Sequence, residues 1–159
     1  MQLERKPAFD IPPGHAVLVE RGDACLVCLK AEREGKEYVH HYVVPLDPRP
    51  GTAHDMIYVD PDDVLVDCGA RPAIVLEAAA EGLDAGPGDI FRTARGTFIK
   101  VIEDPKTQKM FGYVDVATGR IERRRERGLE AVYRAWRVDG LGDMGAITLD
   151  TLRAALARL

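Results

Sequence analysis

The chain of 159 residues contains no serine and no asparagine. The first absence excludes a serine nucleophile, and the second excludes the asparagine-dependent signal for N-glycosylation. A phosphate-binding loop of the form Gly-x-x-x-x-Gly-Lys-Ser/Thr is also missing, which removes support for a nucleoside triphosphatase. These gaps exclude several enzyme classes before any residue is assigned a role.

Cysteine is scarce, and the three thiols belong to Cys25, Cys28 and Cys68. Cys25 and Cys28 lie three positions apart in a strand-like segment, so they face opposite sides and a disulfide between them would be strained. Residues 1–10 hold no apolar run of the kind found in a signal peptide, and no stretch reaches the length of a membrane span. We therefore expect a cytoplasmic protein with reduced thiols and no membrane contact.

The overall composition is that of an ordinary soluble domain. Apolar residues make up 46% of the chain and charged residues 30%, with a net charge of −4. This balance provides enough apolar residues for a core and argues against a protein that coats nucleic acid by bulk charge. The length fits one domain or two small lobes.

The first half of the chain predicts an antiparallel meander. Residues 15–20, 24–31 and 37–45 are rich in Val, Leu, Cys and Tyr and are separated by turn signals. A two-residue turn at positions 22 and 23 places Val17 opposite Cys28, and a loop around positions 33–36 places Cys28 opposite His41. Because side chains alternate along a strand, both faces of this sheet are largely apolar and both need cover.

The rest of the chain predicts further strands and three helices. A hairpin over 56–59 and 64–66 turns at an aspartate-rich segment, and strands are expected at 90–93, 97–102, 109–116 and 120–125. Residues 73–81 are assigned to a short helix, with a buried strand at 73–76 as the alternative. Leu129, Val132, Tyr133 and Trp136 recur at helical spacing, which predicts a helix over 126–138, and Thr148 or Asp150 begins a last helix to Leu159.

These elements predict an α+β fold with two antiparallel β units covered by the three helices. The first unit comprises residues 1–81 and the second residues 89–159, with the Gly- and Pro-rich stretch 82–88 as a connector. One compact domain remains the alternative. The sequence leaves open whether the two units share a core.

A metal site is one hypothesis for the meander. In the predicted register His15, Cys28 and His41 lie on one face, and His54, Asp55 or Cys68 would approach from the following hairpin. Nitrogen and sulfur ligands of this kind suit zinc or another transition metal. The alternative takes Cys28 as a small buried hydrophobe and His41 as a core histidine.

An arginine-rich segment is the second candidate site. Arginine stands at the positions 120, 123, 124, 125, 127, 134 and 137, which gives the segment a charge of about +4 after its three glutamates are counted. Guanidinium groups bind carboxylates and phosphates in bidentate fashion, and the nearby Trp136 is of the type that anchors interfaces. The alternative is a solvated face with internal Arg-Glu pairs.

The sequence therefore favours a non-catalytic binding or accessory module without a cofactor. It would present Arg120, Arg123, Arg124, Arg125, Arg127, Arg134 and Trp136 to an acidic protein partner. A metalloprotein or metal-dependent enzyme using His15, Cys28 and His41 is the first alternative, and a weak nucleic-acid binder is the second. The oligomeric state is left open.

Overall fold

A computed structural model describes residues 3–21, 24–46, 55–103, 111–122, 127–141 and 149–159. Within these ranges the protein is nearly all β, with thirteen strands in three sheets, one short α-helix and one 3-10 turn, Ala8–Asp10. The predicted α+β class with three helices is therefore wrong. No helix in the described part of the chain is long and apolar enough to cross a membrane.

The first sheet has six antiparallel strands. They are β1 Glu4–Pro7, β2 Ala16–Arg21, β3 Ala24–Glu34, β4 Val39–Pro45, β5 Ile57–Val59 and β6 Val64–Asp67, in the spatial order β1-β6-β2-β3-β4-β5. A tight turn, in which the Asp63 N–H donates to the Asp60 carbonyl at 3.0 Å, joins β5 to β6. These two strands stand four places apart in the sheet, so the sheet must curl to bring them together.

The register of this sheet confirms one sequence prediction and corrects another. Val17 pairs with Cys28, as the two-residue turn predicted. Cys28 pairs with Pro45 and not with His41, which pairs with Glu32. The loop after β3 spans residues 35–38, where the Gly35 N–H donates to the Tyr38 carbonyl, so the predicted pairing was wrong by four residues. An even shift leaves every side chain on its predicted face.

The second sheet has five antiparallel strands. They are β8 Ile90–Thr93, β9 Gly96–Ile102, β10 Phe111–Asp115, β11 Ile121–Glu122 and β12 Ala131–Tyr133, in the order β11-β10-β9-β8-β12. The turns β8 to β9 and β10 to β11 lie at the same end of the sheet, because Thr93 pairs with Gly96 and Asp115 with Phe98. We call this the turn end.

A two-stranded sheet takes the place of two predicted helices. Its strands, β7 Pro72–Leu76 and β13 Trp136–Leu141, are antiparallel, with an irregularity between Val138 and Gly140. The predicted helix over 73–81 begins instead as a strand, which was the alternative interpretation. The predicted helix over 126–138 is replaced, in its described part, by β12 and the start of β13.

The predicted C-terminal helix is present as α1, Leu149–Leu156. Ala155 and Leu156 pack against the main hydrophobic core, and Cys25 of the first sheet packs there too. The helix therefore covers part of the main core, as an apolar stripe on a short amphipathic helix predicts.

The two β units share one core. Leu18, Leu29 and Val44 of the first sheet belong to the same buried cluster as Ile99 and Val114 of the second. A smaller cluster fills the concave side of the curled first sheet and contains Ala8, Ile11, Val17, Cys28, Val43, Val59 and Leu65. Both faces of the meander are thus covered, mainly by strands instead of the expected helices.

Candidate functional site

A buried lysine lies at one end of the concave side of the first sheet. Lys30 follows Cys28 by two residues in β3, so its side chain points to the same apolar interior, and it is fully enclosed. Its Nζ donates to His41 Nδ1 at 3.0 Å, to Glu32 Oε1 at 3.1 Å and to the Ile11 carbonyl at 3.4 Å. All three donors of the ammonium group are used, which makes its burial tolerable.

The electrostatics of this cluster keep His41 neutral near pH 7. Burial lowers the pKa of His41, and the charge of Lys30 lowers it further, while Glu32 acts in the opposite direction. Burial also lowers the pKa of Lys30, which Glu32 partly offsets. The charges of Lys30 and Glu32 therefore compensate each other, and the His41 ring accepts a hydrogen bond from the ammonium.

A second polar cluster centres on Asp67, on the same face of the sheet. Asp67 is almost fully buried and accepts hydrogen bonds from His15 Nδ1 at 3.0 Å, Lys6 Nζ at 3.1 Å and the Gly69 N–H at 2.9 Å. Burial alone would raise the pKa of Asp67, but the donors at Gly69, His15 and Lys6 more than offset it, and the pKa is lowered. The carboxylate thus fixes the orientation of the His15 ring.

The three predicted metal ligands do not form a site. His15 bonds to Asp67 and His41 to Lys30, while Cys28 packs in the concave apolar cluster opposite Pro45. Among the described residues no group of three or more His, Cys, Asp or Glu side chains is placed to hold a metal ion. Cys68 lies in the main core, and His54 falls outside the described residues.

The thiols and the buried amine are poorly placed for nucleophilic chemistry. Burial raises the pKa of Cys68 to about 12, and burial also raises the pKa of Cys25. A thiolate is the reactive form of cysteine, so both shifts lower reactivity at neutral pH. Cys28 and Lys30 are fully enclosed.

The arginine-rich segment divides between two regions. Arg120 lies in the β10 to β11 turn, and Arg127 is exposed shortly before β12. Arg134 lies beyond the other end of β12, where it contacts the Asp84 carbonyl at 3.2 Å and Asp89 at 3.6 Å. Arg123, Arg124 and Arg125 lie outside the described residues.

Trp136 is part of the core and not of an exposed surface. It is 4% exposed, and its indole N–H donates to the Gly88 carbonyl at 2.9 Å. The expectation that Trp136 anchors a partner rested on its position beside the arginine run in the sequence. In a strand paired with β7, the side chain faces the protein interior instead.

The fold brings two further arginines to the turn end. Arg92 lies one position before the end of β8, and Arg95 lies in the β8 to β9 turn. Both are therefore at the end of the sheet that also carries Arg120. We name the four described arginines of this region the arginine end: Arg92, Arg95, Arg120 and Arg127. Sequence patterns missed Arg92 and Arg95 because they are about thirty positions from the arginine run.

Sequence patterns also did not identify Lys30 and Asp67 as buried charges, each at the centre of its own polar cluster. The signal was available in the alternation of β3, since Lys30 has the same parity as Leu26 and Cys28. A lysine is so rarely enclosed that the alternation alone did not point to a buried charge.

Residues 140–145 read Gly-Leu-Gly-Asp-Met-Gly, which matches the glycine pattern of dinucleotide-binding loops. That pattern has meaning after a strand of a parallel βαβ unit. Here the preceding strand β13 pairs antiparallel with β7, and residues 142–148 lie outside the described part. The pattern therefore lacks the context that nucleotide binding requires.

Comparison of the chain with protein-family models, with curated proteins and with solved structures gave no significant match.

Proposed function

We propose that this protein is a non-catalytic binding module whose arginine end docks onto an acidic surface of a protein partner. The observation that carries the proposal is the register of the second sheet, which gathers Arg92 near the end of β8 with Arg95 and Arg120 from two turns at the same end. All three side chains are exposed. Exposed guanidinium groups presented together suit bidentate recognition of carboxylates.

The side chains around these arginines hold them in place without neutralising them fully. The Arg92 guanidinium donates to the Tyr133 hydroxyl at 3.0 Å and lies 5.5 Å from the ring centre. Arg95 contacts both oxygens of Glu122, at 3.0 and 3.1 Å. Preorganised side chains lose less conformational entropy when a partner binds.

The existing ion pairs at the arginine end are weak enough to be exchanged. Arg120 lies 3.6 Å from Glu34, and both side chains are more than half exposed. Exposed ion pairs contribute about 0 to 1 kcal/mol, because water screens them and ordering two long side chains costs entropy. A carboxylate from a partner can therefore replace Glu34 at little cost.

The test is capture of proteins from a lysate of the source organism on the immobilised protein. Three forms are compared: the wild type, the variant Arg92→Glu/Arg95→Glu/Arg120→Glu, and the control Arg134→Glu/Arg137→Glu/Arg153→Glu. The two variants carry the same change of net charge, so any difference between them reports position and not bulk charge. Thermal melting verifies that all three are folded.

We expect the wild type and the control to capture the same acidic protein at about 50 mM salt, and to lose it at about 500 mM. The arginine-end variant should not capture it. Equal capture by both variants, or loss of capture after nuclease treatment, would contradict the proposal; the second result would indicate a nucleic-acid ligand.

A further inference from the structure

Four exposed apolar side chains gather around the turn between β5 and β6. Six large hydrophobic side chains are exposed among the described residues, and four of them belong to this region: Phe9 (57%), Tyr38 (64%), Tyr58 (53%) and Val64 (61%). Single exposed hydrophobics are ordinary, but a contiguous group of them marks an interaction surface.

Backbone hydrogen bonds and strand pairing place these four side chains around the same turn. The Phe9 N–H donates to the Pro61 carbonyl at 3.0 Å, which places Phe9 against the turn. Val64 opens β6 immediately after the turn and pairs with Pro7. Val59, the last residue of β5, pairs with His41, so Tyr38, three positions before His41, lies at the end of β4 that faces the turn. Burial raises the pKa of Tyr58, and Asp60 and Tyr38 raise it further, which agrees with this placement.

The charge at the β5 to β6 turn is negative, although Lys36 is exposed two positions before Tyr38. Residues 50–70 contain five aspartates and no lysine or arginine. Asp60, Asp62 and Asp63 are exposed in the turn, and Asp10 is exposed beside Phe9. Within the described ranges no ion pair joins these four carboxylates to a cation. We name these residues, with the four apolar side chains, the aromatic-acidic surface.

Tyrosine rings beside carboxylates that have no cation partner among the described residues form a site suited to guanidinium groups. A guanidinium stacks on an aromatic face by a cation-π interaction and pairs with a carboxylate through two parallel hydrogen bonds. The protein itself offers exposed arginines at the arginine end, on the second sheet. The two surfaces are complementary in charge and lie on different sheets.

We infer that the aromatic-acidic surface of one copy binds the arginine end of a second copy. This inference rests on the proposed function and names its partner as the same chain. Because the two surfaces are different, the contact is head-to-tail, and a pair of copies keeps one free arginine end and one free aromatic-acidic surface. Further copies can therefore bind at both ends of the assembly. Growth stops when the assembly closes into a ring or when the protein concentration is too low for another copy to bind.

The test is sedimentation velocity of the full chain over a concentration series at about 50 mM and about 500 mM salt. Variant A is Arg92→Glu/Arg95→Glu/Arg120→Glu, and variant B is Tyr38→Ala/Tyr58→Ala/Asp62→Lys. Asp60 and Asp63 are left intact because the Asp63 side chain accepts from the Asp60 N–H at 2.9 Å and so stabilises the turn. Thermal melting verifies the fold of each variant.

We expect the wild type to form concentration-dependent oligomers at low salt, with association weakened at least about tenfold at high salt. Variant A alone and variant B alone should remain monomeric. Their equimolar mixture should form dimers and nothing larger, since A keeps the aromatic-acidic surface and B keeps the arginine end.

A wild type that stays monomeric at low salt, or a mixture of A and B without dimers, would overturn the inference. If such a wild type still captures an acidic protein through its arginine end, the proposed function survives and only the identity of the partner is wrong. If variant A captures and associates as the wild type does, both proposals fail.

Discussion

The Nζ atom of Lys30 lies 3.0 Å from Nδ1 of His41 and 3.1 Å from Oε1 of Glu32, in the interior of the first sheet. A positive charge, a negative charge and a neutral ring thus share one buried site. Buried ion pairs add little stability compared with apolar residues, but removing one partner leaves the other charge unpaired at high cost.

We expect Lys30→Met to lower the free energy of unfolding at pH 7 by about 3 kcal/mol. The methionine fills a similar volume, but Glu32 loses its counter-charge. The double variant Lys30→Met/Glu32→Gln should recover most of this loss. Urea denaturation of the single and double variants measures the difference.

The matched control is Lys36→Met, at an exposed position after the same strand. It should change the free energy of unfolding by no more than about 0.5 kcal/mol. A double variant no more stable than Lys30→Met alone would show that the loss comes from packing and not from an unpaired charge.

His41 should make the protein less stable in mild acid. Its pKa is lowered in the folded state, so below about pH 6.5 the unfolded chain takes up a proton that the folded protein does not. The free energy of unfolding therefore falls as the pH drops below 6.5, with a slope of at most about 1.4 kcal/mol per pH unit from this group. Urea titrations between about pH 5 and 8 measure it. His41→Gln should flatten the profile, and an unchanged slope in that variant would assign the effect to another group.

Asp67 should contribute stability that disappears in stronger acid. Its folded-state pKa is lowered, so the contribution is complete above about pH 3.8 and is lost as the pH falls through the folded-state value. We expect Asp67→Asn to cost about 1.5 kcal/mol at pH 7 and less as the carboxyl group protonates. The exposed Asp62→Asn serves as control, and a penalty independent of pH would show that shape, not charge, matters at position 67.

Two glycines with similar backbone angles provide a test of the junction between the sheets. Gly119 has φ +70° and Gly128 has φ +66°. A Cβ at Gly119 would overlap the Gly14 nitrogen and the Lys30 carbonyl, whereas a Cβ at Gly128 meets nothing within 4 Å among the described residues.

Gly128→Ala should therefore cost about 1 kcal/mol, which reflects the backbone conformation alone. Gly119→Ala should cost at least about 2 kcal/mol more, because the β10 to β11 turn must move away from the first sheet. The shift in thermal midpoint relative to wild type measures both. Equal losses of stability in the two variants would mean that the β10 to β11 turn can move away from the first sheet at little cost in free energy.

The cysteines should differ in their reactivity towards alkylation. Cys25 is half-buried, whereas Cys28 and Cys68 are buried and the pKa of Cys68 is raised to about 12. At pH 8 we expect iodoacetamide to modify Cys25 first and the other two at least about a hundredfold more slowly, at the rate of unfolding. Peptide mass spectrometry gives the order, with the urea-unfolded protein as reference. Fast modification of Cys68 would contradict its place in the core.

Local patterns predicted pairing well where the connecting turn was short. The two-residue turn aligned Val17 with Cys28 correctly. In the next hairpin the turn signals predicted a loop centred on positions 34 and 35, whereas the true loop, 35–38, extends β3 to Glu34. Alternation still assigned His41 to the concave face, because an even shift preserves parity. The contact between His41 and Lys30 could not be predicted, because it depends on the true register of β3 and β4.

Helical spacing misled the prediction for the last third of the chain. Val132 and Trp136 are four positions apart, as on one face of a helix, but they belong to two strands in two different sheets. Residues of two separate strands can match helical spacing by coincidence. The strands β12 and β13 form because they pair with β8 and β7, which are distant in sequence. A local sequence pattern carries no information about these partners.

Strand β7 has its hydrogen-bonding partner much later in the chain, since Leu76 pairs with Trp136, sixty positions onward. A ribosome that adds 5 to 20 residues per second needs roughly 3 to 12 s to reach that partner. During this interval the nascent protein exposes an unpaired apolar strand, which is the kind of segment that chaperones bind and that seeds aggregation. Slower translation across residues 77–135 would prolong that exposure.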